Sequence, residues 1–213
     1  MPMELCRPFL RASDLTGGAI SLGRPQGRGS VLVEASDERA RRLDELQFTL
    51  GEGPQVAVWE SGRPFLYPDI TIATGSGMPV FAAAAYELGV RALFAFPVNA
   101  WSHPIGVVDL YRDVPGMLST NATDEMECLA ADVALPALRQ VAEVSGLDAA
   151  SKRAGVSGRR EVHQATGMIM AQLFIGPDEA LVRLRAYAFA TDREAAVVAH
   201  DVVTRVLDFR ELS

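Results

Sequence analysis

The chain has 213 residues, of which 49% are hydrophobic and 22% charged, the profile of ordinary globular material and not of a disordered or fibrous protein. That length fits one or two domains, and apolar runs such as Pro79–Ala85 fall far short of the roughly 18–20 residues a bilayer-spanning helix needs. The net charge of −7 is unevenly spread: 11 basic and 19 acidic residues precede Ser151, 9 basic and 8 acidic follow from it, a split of −8 and +1 that announces no nucleic-acid binder by charge alone.

Met1-Pro2-Met3-Glu4 lacks the basic flank and apolar stretch of a secretory leader. Cys6 and Cys128 stand far apart with no metal-ligand spacing, so reduced thiols in a cytoplasmic protein are expected. Residues 1–12 are a short predicted helix with Leu5, Phe9 and Leu10 on one face. Gly17–Leu22 and Ser30–Ala35 are aliphatic runs on either side of a Gly- and Pro-rich spacer, which predicts a hairpin. Ser36-Asp37-Glu38 opens a helix to Leu46, with Ala40, Leu43 and Leu46 apolar. Gly51-Glu52-Gly53 breaks the chain before a short helix, Pro54–Glu60, that stops at Gly62. Phe65–Tyr67 is a small strand, Thr71–Met78 a loop with the makings of a lid, and Val80–Leu88 a helix ended by Gly89. Val90–Val98 and Ile105–Tyr111 are the clearest strands and form a second hairpin. Asp124–Val144 has helical periodicity interrupted by Pro136, where a kink or break is expected because an interior proline costs about 3 kcal/mol. Residues 1–145 therefore read as an α+β domain, an antiparallel sheet with flanking helices.

Gly146–Gly158 is small and polar, a linker. Beyond it the pattern is wholly helical. Arg160–Leu173, Pro177–Phe189 and Glu194–Leu207 each carry one apolar stripe, so residues 159–213 form a small all-α three-helix bundle. Thr191-Asp192-Arg193-Glu194 has the form of a capping box for the third helix.

Enzyme chemistry finds little support. Gly51-Glu52-Gly53 lacks the downstream Gly or Lys-Ser/Thr of a phosphate cradle and reads as a tight turn. His103, His163 and His200 have no Cys or His at ligand spacing, and no serine sits in a nucleophile elbow. The chain is expected to be a non-enzyme without metal or cofactor. Arg159, Arg160, Arg183, Arg185 and Arg193 come from elements that a three-helix bundle can bring together, and arginine makes planar contacts to phosphate and stacks on bases. Asp178, Glu179, Asp192 and Glu194 offer the plainer alternative of ion pairs on a solvated face. Gln164 and Thr166 lie close to Gly167, whose missing side chain permits either close approach of a ligand or close helix packing. Phe174, Tyr187, Phe189 and Phe209 are the aromatics available for stacking, with Tyr187 and Phe189 assigned to the core.

Gly18–Leu22, Leu46–Pro54, Ala92–Val98 and Ile105–Tyr111 together resemble a GAF domain over roughly residues 13–140. Gln164–Met170, Asp178-Glu179-Ala180, Leu184–Ala188 and Val198–Val203 resemble an ANTAR domain over about residues 158–210, with Thr166 where that family usually has Lys before Gly. The resemblance implies a signal-responsive, RNA-binding regulator of transcription antitermination. It also implies a likeness to actinobacterial GAF–ANTAR proteins, a homodimer, and contact with an RNA hairpin through Arg159, Arg160, Gln164, Thr166, Gly167, Arg183, Arg185 and Arg193. A GAF ligand would lie between the sheet and Tyr67–Leu88, lined by Phe65, Tyr67, Phe81, Tyr86, Phe94 and Phe96. One GAF subgroup reduces methionine sulfoxide with clustered pocket cysteines, a pattern that Cys6 and Cys128 do not match. The rival readings are a protein-docking adaptor and a helix-turn-helix DNA binder; for the latter the third helix is poorly supplied with cations.

Overall fold

The computed structural model describes residues 4–25, 30–72, 77–100, 103–146 and 154–212, with the backbone alone at 72, 144–146 and 154–160. The chain divides into two compact units, Met1–Ser151 and Lys152–Ser213.

The first unit is built on a five-stranded antiparallel sheet. Helix α1 (Arg7–Ala12) precedes the hairpin of β1 (Gly17–Leu22) and β2 (Val31–Ala35). Helices α2 (Glu38–Leu50) and α3 (Pro54–Ser61) lead to β3 (Phe65–Tyr67), a 3-10 turn at Ile70–Ile72, and α4 (Pro79–Glu87). The second hairpin, β4 (Ala92–Ala100) with β5 (His103–Arg112), is followed by α5 (Thr120–Asp132) and α6 (Ala134–Gly146). The strand order is β2-β1-β5-β4-β3, so the two hairpins meet through β1 and β5. At that junction the backbones approach closely: a Cβ on Gly106 would lie 2.3 Å from the carbonyl oxygen of Ser21.

Both sheet faces are covered. Successive side chains of a strand point to opposite faces, and β4 is buried along almost its whole length. Phe94, Phe96 and Val98 join Ile20, Val108 and Leu110 against Phe9 of α1, Met126 of α5 and Ala137 of α6. Leu93 joins Ala19 and Tyr111 on the other face, against Leu43 of α2 and Phe81 of α4. Ala95 and Val107, on that same face, pack on Val58 of α3.

Several boundaries follow from chemistry that the sequence shows. The N-cap of α2 is Asp37, one residue later than the opening serine of the expected helix, and its carboxylate accepts from the Ala40 N–H at 2.9 Å. The helix runs four residues past Leu46, to Leu50. It stops where Gly51 turns left-handed (φ 69°) and donates its N–H to the Gln47 carbonyl. The helix expected to begin at Asp124 begins at Thr120, capped by the Ser119 hydroxyl. The proline break is a full separation into α5 and α6 at Val133, with Pro136 in the first turn of α6, where a missing N–H is harmless. Residues 73–76 of the lid-like loop lie outside the described residues.

The second unit is α7 (Ala154–Leu173), α8 (Pro177–Ala190) and α9 (Ala195–Val203), closed by a 3-10 turn at Phe209–Leu212. Helix α7 already covers 154–158 of the stretch read as linker. Its stripe of Val162, Ala165 and Ile169 is buried, as are Ala180, Leu184 and Ala188 of α8 and Val198, Ala199 and Val202 of α9. The rings of Tyr187 and Phe209 pack in a tilted arrangement, with centres 5.6 Å apart and planes at 60°. The expected capping box is not formed. Glu194 is the N-cap of α9 without a side-chain cap, and the Thr191 hydroxyl instead donates to the Tyr187 carbonyl at 2.8 Å, closing α8.

Candidate nucleic-acid interface and sensor face

The residues expected to meet RNA separate into groups. Gln164 and Gly167 are exposed on α7, and a Cβ on Gly167 would meet nothing within 4 Å, so no packing inside the unit requires a glycine there. Thr166 is buried instead. It is 6% exposed, and its hydroxyl donates to the Val162 carbonyl one turn back at 2.7 Å. Arg185 is also buried, at 8% exposure. These two lie on the inner side of the bundle, which corrects the expectation of a surface contact. The period explains it, because Thr166 follows Ala165 onto the buried stripe and Arg185 follows Leu184.

Arg183 is exposed but paired with Glu179, one turn before it, at 3.2 Å. Arg193 is half-buried and bonded to Asp201 of α9 at 2.5 Å, a link that fixes the α8–α9 connection. His200 of α9 faces Glu161 of α7 at 3.3 Å. For Arg183 and Arg193 the ion-pair alternative is therefore what the geometry contains. Surface pairs of this kind are worth about 0–1 kcal/mol and break easily for a stronger acceptor such as phosphate. Arg159 and Arg160 lie on α7, but their side chains are outside the described residues. Arg205 is exposed just past α9.

Phe189, expected in the core, is 62% exposed, and on α8 it lies seven residues from exposed Val182. Phe174 is 94% exposed and holds a left-handed backbone, φ 56°, at the end of α7.

In the first unit the six aromatics do not share a pocket. Phe65 pairs with Ala95 across the strands, and Tyr67 with Leu93, so both lie on the odd-numbered face of β4, with Phe81 packed on that side. Phe94 and Phe96 occupy the reverse face. Phe65 and Tyr67 stack on each other at 5.6 Å, and Tyr86 is exposed beneath the Arg91 guanidinium, 4.0 Å from its ring centre. Register, which decides the face, was the missing information.

A polar cluster that pattern reading did not single out is buried on the α2–α3 face. The Gln55 side-chain amide donates to Asp44 at 2.9 Å and to Asp109 at 2.6 Å, the Ser21 hydroxyl donates to Asp44 at 2.6 Å, and the Gln55 N–H donates to the Gln47 side-chain oxygen at 2.8 Å. A small cavity lies beside it, lined by Leu43, Gln47, Leu93, Asp109 and Tyr111, with room for about one water molecule. The sequence signal was an aspartate inside an otherwise aliphatic strand, Ile105–Tyr111. Cys6 is buried against the Gly18 carbonyl, and burial beside Glu34 pushes its thiol far above the usual cysteine range. Cys128 is exposed on α5. Among the described residues no group of three His, Cys, Asp or Glu is placed to hold a metal ion. Nor is any helix among them long and apolar enough to cross a membrane.

The chain is thus an antiparallel α+β unit followed by a compact helical unit. The second module has a family: residues 151–203 match the ANTAR domain model, and this part of the chain is an ANTAR domain, an RNA-binding module of antitermination regulators. No curated protein matches the chain. Similar solved structures include a domain of a protein described as a two-component sensor histidine kinase from Sinorhizobium meliloti 1021 (20% identity, 68% of this chain and 93% of that one, TM-score 0.49). They also include a type II free methionine-R-sulfoxide reductase from Thermoplasma acidophilum (13%, 63% and 87%, TM-score 0.48). A third is the GAF domain of an Acinetobacter phosphoenolpyruvate-protein phosphotransferase (14%, 67% and 81%, TM-score 0.46). At these identities no function passes from them to this chain.

Proposed function

We propose that the protein is a signal-responsive regulator of transcription antitermination, in which the C-terminal unit binds a hairpin in nascent RNA and the N-terminal unit acts as its GAF-type sensor or dimerisation module. The observation that carries this reading is the ANTAR match over residues 151–203, which falls on a folded three-helix unit. The four segments that resemble a GAF domain fall on β1, the α2–α3 turn, β4 and β5, the framework of the first unit. Control by a signal requires that a ligand or partner bind the active and inactive arrangements with different affinity. The chain then works as a soluble cytoplasmic homodimer without catalysis of its own.

The test is titration of the purified full chain with synthetic hairpin RNAs at several salt concentrations. Binding that weakens as salt rises supports the reading, since displaced counterions are the signature of phosphate contact. No binding to any hairpin at low salt, by a chain that is folded, overturns it. A second reading, a docking adaptor for a protein partner, is favoured by one observation: Arg183 and Arg193 are neutralised by acids, while Val182 and Phe189 of α8 are exposed.

A further inference from the structure

We propose that Phe174 is a base-stacking residue of the RNA interface, taking an unpaired base of a hairpin loop onto its ring; this rests on the RNA-binding reading above.

Two independent features set Phe174 apart. Its side chain is 94% exposed, the highest value among the exposed large hydrophobics of the protein, so the ring contributes almost nothing to the core of its unit. It also sits at φ 56°, directly after the last residue of α7, a backbone state in which Gly or Asn is the economical choice and a bulky residue is disfavoured. Folding alone therefore selects against phenylalanine here on both counts. A ring held on the outside of a helix end suits a flat apolar ligand. Nucleic-acid bases are such ligands, and aromatic side chains are the usual platform on which splayed-out loop bases stack.

The surroundings fit that use. Exposed positions of α7 recur at helical spacing, Gln164, Gly167 and Ala171, and Phe174 follows at the next step. A turn of this face is bare backbone at Gly167, where a Cβ would meet nothing. Gln164 offers an amide that can both donate to and accept from a base edge. The other three aromatics of the unit are less suited: Phe209 is buried, Tyr187 packs on it, and Phe189 lies on α8, not on this face. Stacking also relieves a difficulty of charge. A unit with a net charge of +1 and partly neutralised arginines gains little from phosphate attraction, and stacking adds affinity without cations.

The experiment uses the full chain and a hairpin RNA with a randomised loop, enriched once on the immobilised protein and then made with 2-aminopurine at each loop position in turn. Phe174→Gly is the main variant, because glycine accepts the left-handed backbone and keeps the fold; Phe174→Trp is the conservative one. Expected results are a weakening of about 5- to 100-fold for Phe174→Gly, near-native binding for Phe174→Trp, and quenching of one 2-aminopurine that Phe174→Gly abolishes. The slope of log affinity against log salt stays unchanged, since no phosphate contact is lost. Wild-type binding matched by Phe174→Gly overturns the stacking role and leaves the RNA reading intact. An enrichment that yields no RNA bound by the wild type overturns both.

Discussion

Exposure and backbone state decide what single residues can do in this protein. The two cysteines illustrate it. Reactivity follows the thiolate, and Cys6 is sealed beneath Glu34, whose carboxylate also accepts the N–H groups of Leu5 and Cys6 at 2.7 and 3.0 Å. Burial and that negative charge both disfavour the thiolate. Cys128 has solvent on its side of α5. Native protein treated with iodoacetamide at neutral pH is therefore expected to take one label, at Cys128, and a second only on unfolding. Mass spectrometry of the native sample decides it, and rapid double labelling would mean that Cys6 is not sealed. The glycines divide in the same way. Gly106 has no room for a methyl group because a neighbouring strand backbone occupies the space, so Gly106→Ala parts β1 from β5. It is expected to cost about 3 kcal/mol or more, read as a large fall in the thermal midpoint.

At the scale of elements, the buried amide of Gln55 ties α3 to both α2 and the sheet, because it bridges Asp44 and Asp109. Replacing it with the similarly sized Leu removes the donor shared by two buried carboxylates, and the expected loss is about 2–4 kcal/mol in urea unfolding. A change below about 0.5 kcal/mol would show that the bridge is incidental. Helix α7 gives the opposite case. Gly167→Ala meets open space and replaces a poor helix former, so the helical unit is expected to gain about 1 kcal/mol, while RNA affinity falls if a ligand approaches that bare backbone. These elements also show what the sequence made readable. The turns at Gly51, Gly62 and Gly89 and the proline starts of α3 and α8 were legible because each is set by one residue's own backbone preference. The order β2-β1-β5-β4-β3 was not, because it depends on pairing across 80 residues and more. The aromatic pocket failed for the same reason: the spacing of Phe94 and Phe96 puts them on one face, and only the pairing of Phe65 with Ala95 shows that it is the face away from Phe65. In the C-terminal unit the apolar stripes were legible, but pattern alone did not show that Thr166 and Arg185 sit on their inner edge.

For the whole chain, charge and helix composition bear on which nucleic acid is bound. Helix α9, the element that a helix-turn-helix protein would place in the major groove, has the sequence Ala195–Val203 with no Lys or Arg and with Asp201 committed to Arg193. Duplex DNA and the stem of an RNA hairpin both present a dense line of phosphates to a protein of net charge −7, so long-range charge, screened over about 8 Å at physiological salt, does not choose between them. A hairpin loop offers unpaired bases, for which exposed Gln164, Gly167 and Phe174 are better equipped than for phosphate. Hairpin RNA is therefore expected to hold the protein in the presence of a large excess of duplex DNA, with a shallow salt dependence reflecting few phosphate contacts. Arg183→Ala should lower the affinity modestly and reduce the salt slope by up to about one, if its guanidinium leaves Glu179 for a phosphate. Competition binding at two salt concentrations measures both quantities. Duplex DNA that displaces the hairpin at equal concentration would mean that the helical unit reads phosphate and not loops, and a steep slope would mean that Arg159 and Arg160 carry more of the contact than the bases do.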